Sequence, residues 1–174
     1  MLKKLIITTF SFLLYFNPAV SNDLKIAYVD IDKIINSSKA GKDITKQLLV
    51  LNNNNIKKFK EIEKKLADEE KNMIKQKNIL PKDEFQKKIK ILNKNIESFK
   101  KDINLNRKKL DKKRVEATTE VLKVLNPIFA EYSSKNSISL IIQKKNVVIG
   151  KSELDITNQI LELLNTKIKT VKLN

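Results

Sequence analysis

The sequence predicts an α+β chain: a long antiparallel α-helical (coiled-coil) hairpin arm on a small β head that oligomerisation completes. Three observations predict it. Between Thr45 and Asn126 there is no glycine, and Pro81 is the only proline. Apolar residues in that stretch recur at heptad spacing, the signature of a helical seam. The flanking segments instead hold short β-branched runs, too few to bury a core alone.

Composition agrees. The chain has 174 residues, enough for one ordinary domain. Only 2 Gly and 3 Pro leave few turns, and 6% aromatics with no Trp argue against a large compact core. The 32% of charged residues suits long solvated helices.

The N-terminus reads as a secretory signal peptide over residues 1–21. Lys3 and Lys4 form its positive region, and "LIITTFSFLLYF" (Leu5 to Phe16) its apolar core. Asn17 and Pro18 break the run, and Ala19-Val20-Ser21 places small residues before a cleavage expected between Ser21 and Asn22. An apolar run of 12 residues is short for a membrane span. The mature chain is therefore expected outside the cytoplasm. With Cys at 0, no disulfide holds its fold.

Without Lys3 and Lys4 the chain keeps 34 basic and 20 acidic residues, a net of +14. Such a balance suits an anionic partner: nucleic acid, lipid headgroups or an acidic protein. Only Arg107 and Arg114 are arginine. An A/T-rich genome would also yield this excess of Lys, Asn and Ile, so charge alone does not fix the partner.

In the middle of the chain, Phe59, Leu66, Met73 and Leu80 lie seven apart, with Ile62 between the first two. After the proline, Phe85, Ile89, Leu92, Ile96, Phe99, Ile103, Leu110, Ala117 and Val124 follow steps of four and three, with gaps at Asn106, Lys113 and Glu120. Pro81 lies where the tracks meet. Proline inside a helix costs roughly 3 kcal/mol but is tolerated at the first helical position. Asp83 and Glu84 then suit the positive end of a helix dipole, while Lys75 and Lys77 suit the end of the preceding helix. Pro81 is therefore expected to start a second helix folded back on the first, with a tip near 78–84. A single helix kinked at Pro81 is the alternative. Fold-back pairs Phe59 with Ile103, Leu66 with Ile96, and Met73 with Ile89, apolar with apolar throughout. The arm, residues 45–126, carries 23 basic and 12 acidic residues.

The ends, 22–44 and 127–174, are assigned to the head. "LKIAYVDIDKII" (Leu24 to Ile35) reads as a strand running into a helix capped by Asp30 or Asp32. "SISLIIQ" (Ser137 to Gln143) and "NVVIG" (Asn146 to Gly150) read as two strands joined by Lys144-Lys145. "LDITNQILELLN" (Leu154 to Asn165) reads as a helix capped by Asp155 or Thr157, with Ile156, Ile160, Leu161 and Leu164 on its apolar face. So small a sheet has open edges, which oligomerisation would cover.

No catalytic constellation is legible. His and Cys are both 0, which excludes Ser-His and Cys-His nucleophiles and most zinc sites. Asp30-Ile31-Asp32 reads as helix capping rather than a metal site. The carboxylates of "DEE" (Asp68 to Glu70) read as solvated partners of neighbouring lysines. No enzyme activity, cofactor or metal is expected.

The "KIAYVD" strand, the basic helical hairpin, "ISLIIQKKNVVIG" and the closing "LDITNQILELL" helix together resemble the Skp (OmpH-like) periplasmic chaperones. The resemblance covers essentially the whole mature chain and is most specific at Lys25 to Asp30 and at Asp155-Ile156-Thr157. It implies a jellyfish-like homotrimer with a shared β head and three arms around a cavity. It further implies an ATP-independent holdase for unfolded outer-membrane proteins in the periplasm, with contact to acidic lipid or lipopolysaccharide. Apolar residues off the seam are the candidates for client contact: Ile56, Ile74, Ile79, Ile91 and Leu105. Lys87, Lys88, Lys100 and Lys101 would add long-range attraction. The competing readings are a polyanion, nucleic-acid or lipid-surface binder and a coiled-coil spacer of the envelope. The signal peptide argues against nucleic acid as a physiological partner.

Overall fold

A computed structural model describes residues 24–173. The expected signal peptide lies outside the described residues. Strand β1 (Ile26–Val29) runs into helix α1 (Ile31–Ser37), followed by the long helices α2 (Lys39–Gln76) and α3 (Lys82–Lys135). Strand β2 (Leu140–Gln143) and helix α4 (Thr157–Lys167) complete the order.

The β1–α1 corner forms as its sequence suggests. Asp30 is the N-cap of α1, and its Oδ1 accepts from the Lys33 amide at 2.8 Å. A second corner follows at Ser38. Its Oγ donates to the Ile35 carbonyl at 3.0 Å and accepts from the Gly41 amide at 3.0 Å. A Cβ at Gly41 would stand 1.7 Å from the Ile35 carbonyl oxygen, so only glycine lets α2 start this close to α1.

Helices α2 and α3 form an antiparallel hairpin, and the straight, kinked alternative is excluded. Helix α2 ends at Gln76, whose carbonyl accepts from the amides of Ile79 and Leu80, both at 3.0 Å. Pro81 takes the cap rather than the first helical position, with φ −52° and ψ 141°. Its carbonyl accepts from the Phe85 amide at 3.0 Å. The absent proline N–H costs nothing there. Across the arm, the Phe59 and Phe99 rings meet edge to face with centroids 6.0 Å apart. Asn55 Nδ2 donates to Asn106 Oδ1 at 2.7 Å. Asn106 was a gap in the apolar track, and the gap is filled by a polar partner. At 1.5 Å per residue the arm's helices are on the order of 57 and 81 Å long.

The seam changes character toward the head. The expected track ran from Ala117 to Val124, whereas the buried residues are Ala117, Val121, Leu125 and Ile128, with Val124 only half-buried. Steps of four shift the stripe around the helix. The cause is packing: here α3 meets α4 and the core elements as well as α2, so it buries a broad face instead of a two-helix seam. Helix α3 also continues through Pro127, at an exposed position where water can satisfy the freed carbonyl.

The head core gathers Ala27 and Val29 from β1, Ile34 from α1, Ala40, Ile44 and Leu48 from α2, and the broad face of α3. Ile156, Ile160, Leu164 and Val171 close it. Strands β1 and β2 are parallel, in the register Ile26 to Leu140 through Val29 to Gln143, so the whole arm is their crossover connection. On its other side β1 bridges Asp155, and the Ile156 amide donates to the Tyr28 carbonyl at 3.0 Å. The second expected strand, Asn146 to Gly150, does not form. Lys144–Asn146 make a 3₁₀ turn, and the chain then runs irregularly with Val148 and Ile149 102% and 91% exposed. It pairs with no strand among the described residues, and the outer edge of β2 stays open.

Candidate functional site

Much of the arm's surface has no role in the core. Toward the tip from Leu48 on α2 and Ala117 on α3, Leu92 is the arm's only buried residue. Even the seam residues Ile62 and Ile103 remain exposed. Two helices share one narrow contact, so apolar residues off that contact stand in solvent.

Ile56, Ile74, Ile79, Ile91 and Leu105 are all exposed, reaching 70% at Ile74 and 78% at Ile79. They do not converge. Ile56 and Ile74 lie about five whole turns apart and share one flank of α2. Ile91 borders a shallow groove of about 270 Å³ with Glu69, Asn72, Met73 and Gln76, on the other flank. Ile79 sits in the tip turn, and Leu105 lies on the back of α3. Lys87, Lys88, Lys100 and Lys101 are exposed on α3, and Lys88 Nζ pairs with Glu84 at 3.4 Å.

Three apolar positions near the arm's base escaped the sequence reading: Leu49, Val50 and Val115, each more than half exposed. The signal for Leu49 and Val50 was present. Ile44, Leu48 and Leu51 satisfy the seam spacing, which leaves the two others off it. Leu49 and Ile56 line a groove of about 480 Å³ between α2 and α3, together with both arginines of the chain.

In the head, polar side chains act as struts. Lys144 Nζ pairs with Asp155 Oδ2 at 2.7 Å and lies 5.7 Å from the centre of the Tyr28 ring. The Tyr28 hydroxyl donates to the Lys151 carbonyl at 3.1 Å. Asp155 accepts from the Thr157 amide at 3.0 Å and from its hydroxyl, while Thr157 Oγ1 accepts from the Asp30 amide at 2.9 Å. The cap position of α4 is Ile156, and Asp155 serves the first turn from one residue earlier. Burial pushes the Asp155 carboxyl up, but hydrogen bonds from Lys144 and Thr157 outweigh it and hold the group below its ordinary range. The same contact raises Lys144. This network fastens β1, the Lys144 turn and α4 together. No described group of three or more His, Cys, Asp or Glu residues is placed to hold a metal. No described helix is long and apolar enough to cross a membrane.

An arm of this build, rooted in a parallel two-stranded head, is a specific combination. Residues 25–164 match the model of the family described as outer membrane protein (OmpH-like). The chain belongs to the OmpH-like family. A crystal structure of an OmpH-like protein from Caulobacter crescentus CB15, named for outer membrane chaperones, superposes with a TM-score of 0.79 at 18% identity. The match covers 92% of this chain and 95% of that one. At that identity the likeness establishes the shared fold. No curated protein matches the chain significantly. The OmpH-like match begins within β1's approach and ends inside α4, so it spans arm and head together.

Proposed function

We propose that this OmpH-like chain is an ATP-independent periplasmic holdase that keeps unfolded outer-membrane proteins from aggregating between its arms. One observation carries the reading: exposed isoleucines stand off the seam on a slender arm with a net charge of +11 between residues 45 and 126. Scattered apolar contacts separated by lysines suit an unfolded chain, which offers many weak sites and no fixed shape. The open edge of β2 and the bare Val148-Ile149 segment support assembly of the heads, 22–44 and 127–174, into a trimer whose arms surround a cavity. Export by the signal peptide would place that assembly in the periplasm.

The test is direct. The purified mature chain should keep a urea-diluted β-barrel protein soluble at stoichiometric amounts without nucleotide, and its mass in solution should be that of a trimer. Aggregation at the rate of the chain-free control would overturn the holdase reading. The arm's charge favours a second reading, binding of polyanions or acidic lipid surfaces. That reading requires steep weakening with salt and no protection of the barrel protein.

A further inference from the structure

Lysine supplies every cation of the chain except two, Arg107 and Arg114. These two lie seven residues apart on α3, about 10.5 Å along its axis, and both line the 480 Å³ groove at the arm's base. The floor of that groove is apolar: Leu48, Leu49, Ile56, Phe59, Ile103 and Leu110. Neither guanidinium has an ion-pair or hydrogen-bond partner among the described residues. Asp111 lines the same groove one turn from each arginine, yet it pairs with neither, and the lining keeps a net positive charge. Two side-chain amides are also present. Asn52 lines the groove, and Asn106 accepts from Asn55 through its oxygen, which leaves its NH₂ group uncommitted.

We infer that this groove, within the holdase reading above, selects client segments in which a carboxylate neighbours bulky apolar side chains. A guanidinium fork matches a carboxylate bidentately, and a lysine ammonium does not. The floor receives the apolar side chains, and the amides of Asn52 and Asn106 supply hydrogen bonds for an extended backbone. An acyl chain has no use for those amides, which favours a peptide over a lipid. Unpaired arginines also avoid the cost of breaking an existing ion pair before a ligand binds.

The experiment uses the full mature chain and a labelled peptide of alternating Asp and Phe, read by fluorescence anisotropy. A peptide with Asn in place of each Asp is the control. Wild type should bind the Asp peptide about tenfold more tightly than the Asn peptide, as expected for charge-assisted hydrogen bonds. The variant R107A/R114A should lose that preference, and R107K/R114K should recover only a small part. Protection of a urea-diluted β-barrel protein that lacks such acidic-apolar segments should stay at the wild-type level in both. Circular dichroism verifies that the helices persist; I56S, which changes the floor and leaves both charges, is the second probe and should weaken both peptides. Full recovery by R107K/R114K would overturn bidentate recognition. Equal binding of the Asp and Asn peptides by wild type would overturn the selection itself. If R107A/R114A loses binding to anionic phospholipid vesicles but keeps the peptide preference, the groove is a lipid site and the inference fails. Failure of the holdase reading would look different: no protection of any barrel protein, with the Arg-dependent peptide preference intact.

Discussion

At the scale of residues, two positions govern how the head closes. Gly41 lets α1 and α2 meet at the Ser38 corner, and a methyl group there points into a backbone oxygen that cannot rotate away. Gly41→Ala is expected to destabilise the chain by about 1–3 kcal/mol, the usual range for overpacking, measured as a shift in urea unfolding. Asp155 makes the head acid-sensitive. Its folded-state pKa is held below the unfolded value, so its contribution is present above about pH 4 and fades as the pH falls through the folded value. Asp155→Asn should flatten the acid limb of stability against pH relative to wild type. An unchanged acid limb would remove Asp155 from the account. Asp30 and Asp155 were legible because capping is local chemistry, readable from a few neighbouring residues. Gly41 was not singled out, because the clash it avoids is between two helices whose corner only the fold defines.

At the scale of elements, the arm shows where a sequence pattern is sufficient and where it stops. The tracks through Phe59 and Phe99 made the hairpin legible, since each 3.5-residue stripe needs a partner and the chain holds two of them. The bend of the stripe at Val121 was not legible. It depends on α4 packing against the same turns, which periodicity within α3 does not report. The segment Asn146 to Gly150 shows the opposite limit: its residues favour a strand, but the chain turns through Lys144–Asn146 and does not lie back along the open edge of β2. The Asn55–Asn106 bond joins local pattern to register. A half-buried amide pair sacrifices some stability and ties one alignment of α2 on α3. Asn106→Leu alone should destabilise the arm by about 1 kcal/mol, because Asn55 loses its partner. The double change N55L/N106L should recover that loss and more in urea unfolding, while distances between spin labels on the two helices broaden. Unchanged label distances in the double variant would show that the apolar seam alone sets the register.

At the scale of the whole molecule, the candidate site was legible only as a composition: off-seam isoleucines and lysines can be counted along the chain, but their two flanks and the arginine groove exist only once α2 and α3 are aligned. The proposed assembly would rest on the sheet. One side of β1 is covered by β2 and the other by Asp155-Ile156, so the free edge among the described residues belongs to β2. Directly beyond it the chain presents Val148 and Ile149 to water, side chains whose burial is worth about 1.5–3 kcal/mol each. An open edge beside a β-branched segment of the same chain is the arrangement that strand addition between copies satisfies. The head's own core does not include either residue, so V148S/I149S should leave the helical signal and the unfolding of the isolated protomer unchanged. If the heads assemble as proposed, the same variant should shift the mass in solution from the proposed trimer to single chain at micromolar concentration. In the proposed holdase, protection of an unfolded barrel protein should fall with the assembly, even though every arm residue is intact. A V148S/I149S chain that still sediments as a trimer would move the contact between copies away from this edge.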